Sequence, residues 1–149
     1  MAGSFSILGN LRDLEHLDVQ FTSSGPSLLG EPIPLRQNDR SLESLVALTK
    51  LRYLDISRMC TITDSGLRVL AAMPLRTLVM QSMGEGITRH GLQHLLACPS
   101  LRYLDMSGCQ TPEVFKPSVH GYPYQRTRIG PLDLHGIHER RHDMEFKFD

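Results

Sequence analysis

The sequence predicts an α/β solenoid, with short parallel strands on a concave face and helices on a convex one. Two observations carry that reading. A strand-like block, L-x-x-L-x-(aliphatic or Met), begins at Leu14, Leu51, Leu75 and Leu101. A helix-like block recurs beside it: Ile62-Thr-Asp-Ser-Gly66-Leu67 precedes Leu70 and Pro74, and Ile87-Thr-Arg-His-Gly91-Leu92 precedes Leu95 and Pro99. The step is 24 residues from Leu51 to Leu75 and 26 from Leu75 to Leu101, enough for one strand and one short helix. Such a pair cannot bury both of its apolar faces alone, whereas stacked copies share one continuous core.

Each element has its own justification. The L-x-L centre of every strand block alternates between inward and outward positions. Thr63 or Asp64 is placed to cap a helix running to about Met73, where Pro74 stops it. A second helix runs from about Arg89 to Cys98 and ends before Pro99. An earlier one, from about Ser41 to Lys50, sets Leu42, Leu45 and Leu48 on one stripe. Leu8 and Leu11 stand at the same offset from Leu14 as Leu45 and Leu48 do from Leu51, so the chain enters inside a repeat's helix. An uncapped solenoid end exposes core. Either a partner covers it or the chain is a shortened version of a longer protein.

These blocks resemble the leucine-rich-repeat family, whose repeats are 20–29 residues long. The resemblance covers residues 5 to 109, and the I-T-x-x-G-L half looks like the cysteine-containing subclass associated with F-box proteins. No F-box precedes the repeats here. In that subclass a cysteine follows the strand block. The equivalent positions here are Thr22, Met59, Met83 and Cys109, of which one is cysteine. The fold so implied is a leucine-rich-repeat solenoid, and the resemblance implies a surface that binds other proteins.

Two regions break the period. From Leu14 to Leu51 is 37 residues, about a dozen more than one repeat. The excess falls in 23–40, read as a looped-out insertion or, alternatively, a degenerate extra repeat. Residues 1–109 thus hold about four repeats. Residues 110–149 change character, with prolines and the aromatics Phe115, Tyr122 and Tyr124. They read either as an irregular closure or as a partly ordered tail. Residues 129–134 repeat the strand template and are a candidate terminal strand, while Met144-Glu-Phe146-Lys-Phe148 alternates as an end cover would.

Composition narrows the function. The chain has 149 residues with 16 basic and 16 acidic side chains, so bulk charge directs it to neither nucleic acid nor an anionic membrane. No apolar run approaches the roughly 20 residues of a membrane helix. The first residues lack the basic start and apolar core of a secretory signal. Three cysteines without CxxC spacing suggest neither a disulfide framework nor a zinc ribbon, and a cytoplasmic or nuclear location is expected. No nucleophile elbow, phosphate-binding glycine loop or metalloprotease helix is present, so the reading is not an enzyme and needs no cofactor. His135, His138 and His142 share one side of a would-be helix, yet Gly136 weakens it, and a solvated segment is the simpler reading.

The concave face is the candidate binding site, with a protein of unknown identity as the partner. Outward strand positions stack into columns: His16, Tyr53, Thr77 and Tyr103; Asp18, Asp55, Val79 and Asp105; Gln20, Ser57, Gln81 and Ser107. Arg52, Arg76 and Arg102 form the neighbouring column and are expected to neutralise the carboxylates. Tyrosine offers a large apolar body with one polar handle, and arginine a bidentate donor. Two sharper readings compete: a structural subunit of a large assembly, anchored by the C-terminal tail and the insertion, and a substrate- or adaptor-binding fragment of a ubiquitin-ligase receptor. The second is implied by the resemblance alone.

Overall fold

The structure, a computed structural model, describes residues 5, 7–20, 38–84, 86–109 and 141–147. Its strands are β1 (His16–Asp18), β2 (Tyr53–Asp55), β3 (Thr77–Val79), β4 (Tyr103–Asp105) and β5 (Glu145–Lys147). They pair in sequence order into one parallel sheet. The helices are α1 (Asp39–Glu43), α2 (Asp64–Ala71) and α3 (Arg89–Leu96), packed side by side.

Leucine spacing explains the layering. Leu17, Leu54, Leu78 and Leu104 align across the sheet and are buried against the helices. Leu42 from α1 and Leu45 just after it, Leu67 and Leu70 from α2, and Leu92 and Leu95 from α3 answer them. Corner positions Met59, Met83 and Cys109 are buried as well, so methionine fills two sites where the resembling subclass would place cysteine.

Each helix departs from its predicted limits for a local reason. The first begins at Asp39 rather than Ser41, because Asn38 ends extended backbone and its N–H donates to Ser41 Oγ at 3.4 Å. It then tightens into a 3₁₀ turn over Ser44–Ala47, which still buries Leu45. The second and third end at Ala71 and Leu96, a little short of the prolines. A matching 3₁₀ turn at Leu8–Asn10 packs on the Ser44–Ala47 turn, as the shared offset predicts.

β1 and β2 pair in register, His16 to Tyr53, although 37 positions separate them in the sequence. The insertion expected at 23–40 therefore ends earlier, since 38–40 already belong to the next repeat's helix and its cap. Residues 21–37 lie outside the described residues, as does the candidate strand at 129–134. The strand that pairs with β4 is Glu145–Lys147, which places Phe146 in the leucine column.

The helical blocks are tied together by a repeated carboxylate bridge. Asp39 accepts from Thr63 N–H at 2.9 Å and from Thr63 Oγ1 at 2.6 Å. Asp64 accepts from Thr88 in the same way, at 2.7 and 2.6 Å. Each threonine also caps its own helix, accepting from Ser65 and His90 N–H. Gly66 and Gly91 make room for this bridge: a Cβ on either would collide with the carboxylate of the preceding repeat. The I-T-x-x-G-L block is thus an inward apolar pair around a cap, a bridge donor and a gap.

Candidate functional site

Strand register brings the predicted columns together. His16, Tyr53, Thr77 and Tyr103 stand in one row across β1 to β4. His16 is exposed, while Tyr53, Thr77 and Tyr103 are half-buried. The His16 ring stacks on Tyr53 with centroids 5.6 Å apart. Partial burial, and then the nearby carboxylates of Asp55, Asp18 and Asp105, raise the Tyr53 phenol above its ordinary value.

The carboxylate column behaves differently from expectation. Asp18 is exposed, but Asp55 and Asp105 keep only 3% and 4% of their surface. Alternation points them outward, yet each sits where its strand ends and accepts a main-chain N–H two residues on. Gln20 N–H donates to Asp18 Oδ1 at 3.2 Å, Ser57 N–H to Asp55 Oδ1 at 2.9 Å and Ser107 N–H to Asp105 Oδ1 at 2.9 Å. Glutamine side chains link successive rows: Gln20 Nε2 donates to Asp55 at 2.7 Å and Gln81 Nε2 to Asp105 at 2.9 Å. Where Val79 interrupts the column, Ser57 Oγ accepts from Gln81 N–H at 3.1 Å. Lys147 ends the series with its ammonium 3.7 Å from Asp105. Asp55 and Asp105 are thus built into the scaffold beneath the face.

Burial alone would raise the Asp105 carboxyl. Hydrogen bonds from the Ser107 side chain and main chain and from Gln81, with the Lys147 charge, outweigh it and hold the group below its usual range.

The arginines do not neutralise that column. Arg52 Nη1 donates to the Pro74 carbonyl at 2.8 Å, and Arg102 Nη1 to the Pro99 carbonyl at 2.8 Å and to Asp143 at 3.1 Å. Arg76 is exposed and makes no side-chain hydrogen bond or ion pair among the described residues. Thr77 therefore stands between Tyr53 and Tyr103 in the row, with the exposed Arg76 directly before it at the start of β3.

Sequence reasoning missed Arg141. Its guanidinium donates to the carbonyls of Leu96, Cys98 and Leu101 at 2.7, 2.9 and 3.0 Å and to Asp143. It thereby satisfies the carbonyls at the end of α3. Met144 is buried beside it, and β5 follows directly. No local motif marks this arginine, since its partners lie some 40 residues upstream.

Other candidates are less suited to chemistry. Cys98 and Cys109 are buried, and burial pushes the Cys109 thiol up to about 11. Cys60 is exposed, and its thiol too is raised by desolvation. Among the described residues no group of three His, Cys, Asp or Glu is placed to hold a metal, and no helix is long and apolar enough to cross a membrane. His142 is exposed, while His135 and His138 lie outside the described residues.

Comparison with known proteins bears on the fold. The leucine-rich repeat family model matches residues 47–71 and 97–110. No curated protein sequence matches the chain. Among solved structures, the C-terminal domain of tropomodulin from Caenorhabditis elegans is similar, with a TM-score of 0.53 and 17% identity, over 93% of this chain and 75% of that one. Repeat spacing, a parallel sheet backed by helices and these matches agree: the fold is a leucine-rich-repeat solenoid.

Proposed function

We propose that the chain is a non-catalytic binding module that takes a protein partner on its concave face, centred on Tyr53, Arg76, Thr77 and Tyr103. The observation that carries the reading is Arg76, exposed and without a side-chain hydrogen bond or ion pair among the described residues, directly before Thr77 in the row of two half-buried tyrosines. Asp55, Asp105, Arg52 and Arg102 are engaged by the fold, so they shape and stiffen the surface rather than offer free groups. Tyrosine and arginine are the residue types that most often carry binding energy at interfaces. A sheet whose rows are linked by Gln20–Asp55 and Gln81–Asp105 presents them with little ordering cost.

The test replaces Tyr53 and Tyr103 together with alanine and compares the proteins captured by each chain. Partners of the wild type are expected to be lost while circular dichroism and unfolding remain cooperative. A folded double variant that retains every partner would place the site elsewhere.

A further inference from the structure

β1 is one edge of the sheet, hydrogen-bonded on one side by β2. Glu15 carbonyl accepts from Arg52 and Tyr53 N–H, and Val19 N–H donates to the Asp55 carbonyl. Main-chain groups alternate in direction along a strand, so those of His16 and Asp18 point away from β2. Neither residue's main chain meets a partner on that side among the described residues. The same end of the solenoid carries exposed apolar surface. Ile7 is 76% exposed, Leu11 51% and Val46 47%, and these are the large hydrophobic side chains left exposed among the described residues. Val46 belongs to the turn that packs on Leu8–Asn10, and Ile7 and Leu11 flank the Leu8–Asn10 turn just before β1 in the chain.

We propose that this edge pairs with the same edge of a second copy of the chain, antiparallel about a twofold axis through Leu17. The register is dictated by which main-chain groups have no partner among the described residues. An antiparallel hydrogen-bonded pair exchanges both main-chain bonds between two facing residues. Centring on Leu17 sets His16 of one copy against Asp18 of the other, so the four outward-pointing residues satisfy one another. Their side chains then stand on the concave side within contact distance, an imidazole N–H donor facing a carboxylate acceptor at both ends of the strand. Leu17 meets its twin on the core side, and closing this end withdraws apolar surface from water. The arrangement is isologous and closes on itself.

The opposite edge is less suited. Lys147 of β5 is already paired with Asp105, and Arg141 and Met144 close the core beside it. The proposal does not need the partner-binding reading, because its main-chain bonds form on the side of β1 away from β2, although the His16 ring also stacks on Tyr53.

The test is sedimentation equilibrium of the full chain across a concentration series, with His16→Asp, Asp18→His and the double exchange. Each single change puts unmatched groups opposite each other twice in the dimer. It is expected to weaken dimerisation by roughly tenfold or more, with the double exchange restoring it. Both side chains are exposed, and thermal unfolding of each variant checks that the fold survives. A monomer at all concentrations, open-ended oligomers, or a dimer indifferent to all three variants would each overturn the proposal. Amide exchange on the unaltered protein gives a second reading: protection at His16 and Asp18 should rise with concentration, and concentration-independent exchange there would also overturn it.

Discussion

Asp105 shows how a side chain that alternation assigns to the surface becomes structural. Its strand ends at this residue, and the carboxylate turns to receive Ser107, Gln81 and Lys147. The folded state therefore holds this proton more weakly than the unfolded chain does, so its pKa is depressed on folding. The contribution is fully present above the ordinary carboxylate value and is lost as pH falls through the lower folded value. Urea unfolding measured at pH 7 and pH 3 should show a smaller acid-dependent loss in Asp105→Asn than in the wild type. An unchanged difference would mean that the hydrogen bonds do not favour the charged form. Asp55 shares the geometry, which is why exposure was misjudged at both: the two-residue period places the Cβ correctly but does not show that the carboxylate folds back.

At the scale of elements, the bridge between repeats rests on contacts across 24 residues of sequence. Reading one helix at a time spends Thr63 and Thr88 on their own caps and leaves the glycines unexplained. The signal was nevertheless present. Asp39 precedes Thr63, and Asp64 precedes Thr88, by the same interval, with Gly66 and Gly91 three residues past each threonine. Asp64→Ala should cost about 1–3 kcal/mol, since it strands a main-chain N–H and a hydroxyl that were bonded in the native state. Denaturant unfolding measures it directly. A loss of a few tenths would show that water replaces the carboxylate. The turn after each strand was likewise hidden: Arg58, Ser82 and Gly108 all adopt left-handed backbone, and only the last carries the residue that advertises it.

Across the whole molecule, periodicity made the core, the strand register and the layering legible, because one apolar pattern serves every repeat. Closure was not legible in the same way. β5 has a single apolar residue, Phe146, between two charged ones, so a leucine template favours 129–134 over 145–147. What holds the end is Arg141 reaching back to α3, a tertiary choice with no local spacing rule. In so short an array every row supports its neighbours. Leu54→Ala, at a fully buried position with rows on both sides, should cost about 2–5 kcal/mol, a large share of a small domain's stability. A mild loss in thermal and denaturant unfolding would contradict the shared core.

Site-specific photocrosslinking shows which surface of the solenoid a partner touches. A photoreactive residue at Thr77, in the middle of the concave face, is compared with one at Gln93, exposed on α3. Partner proteins are expected to crosslink through position 77 and not through position 93. Crosslinks confined to position 93 would place recognition on the helical side and contradict binding on the concave face.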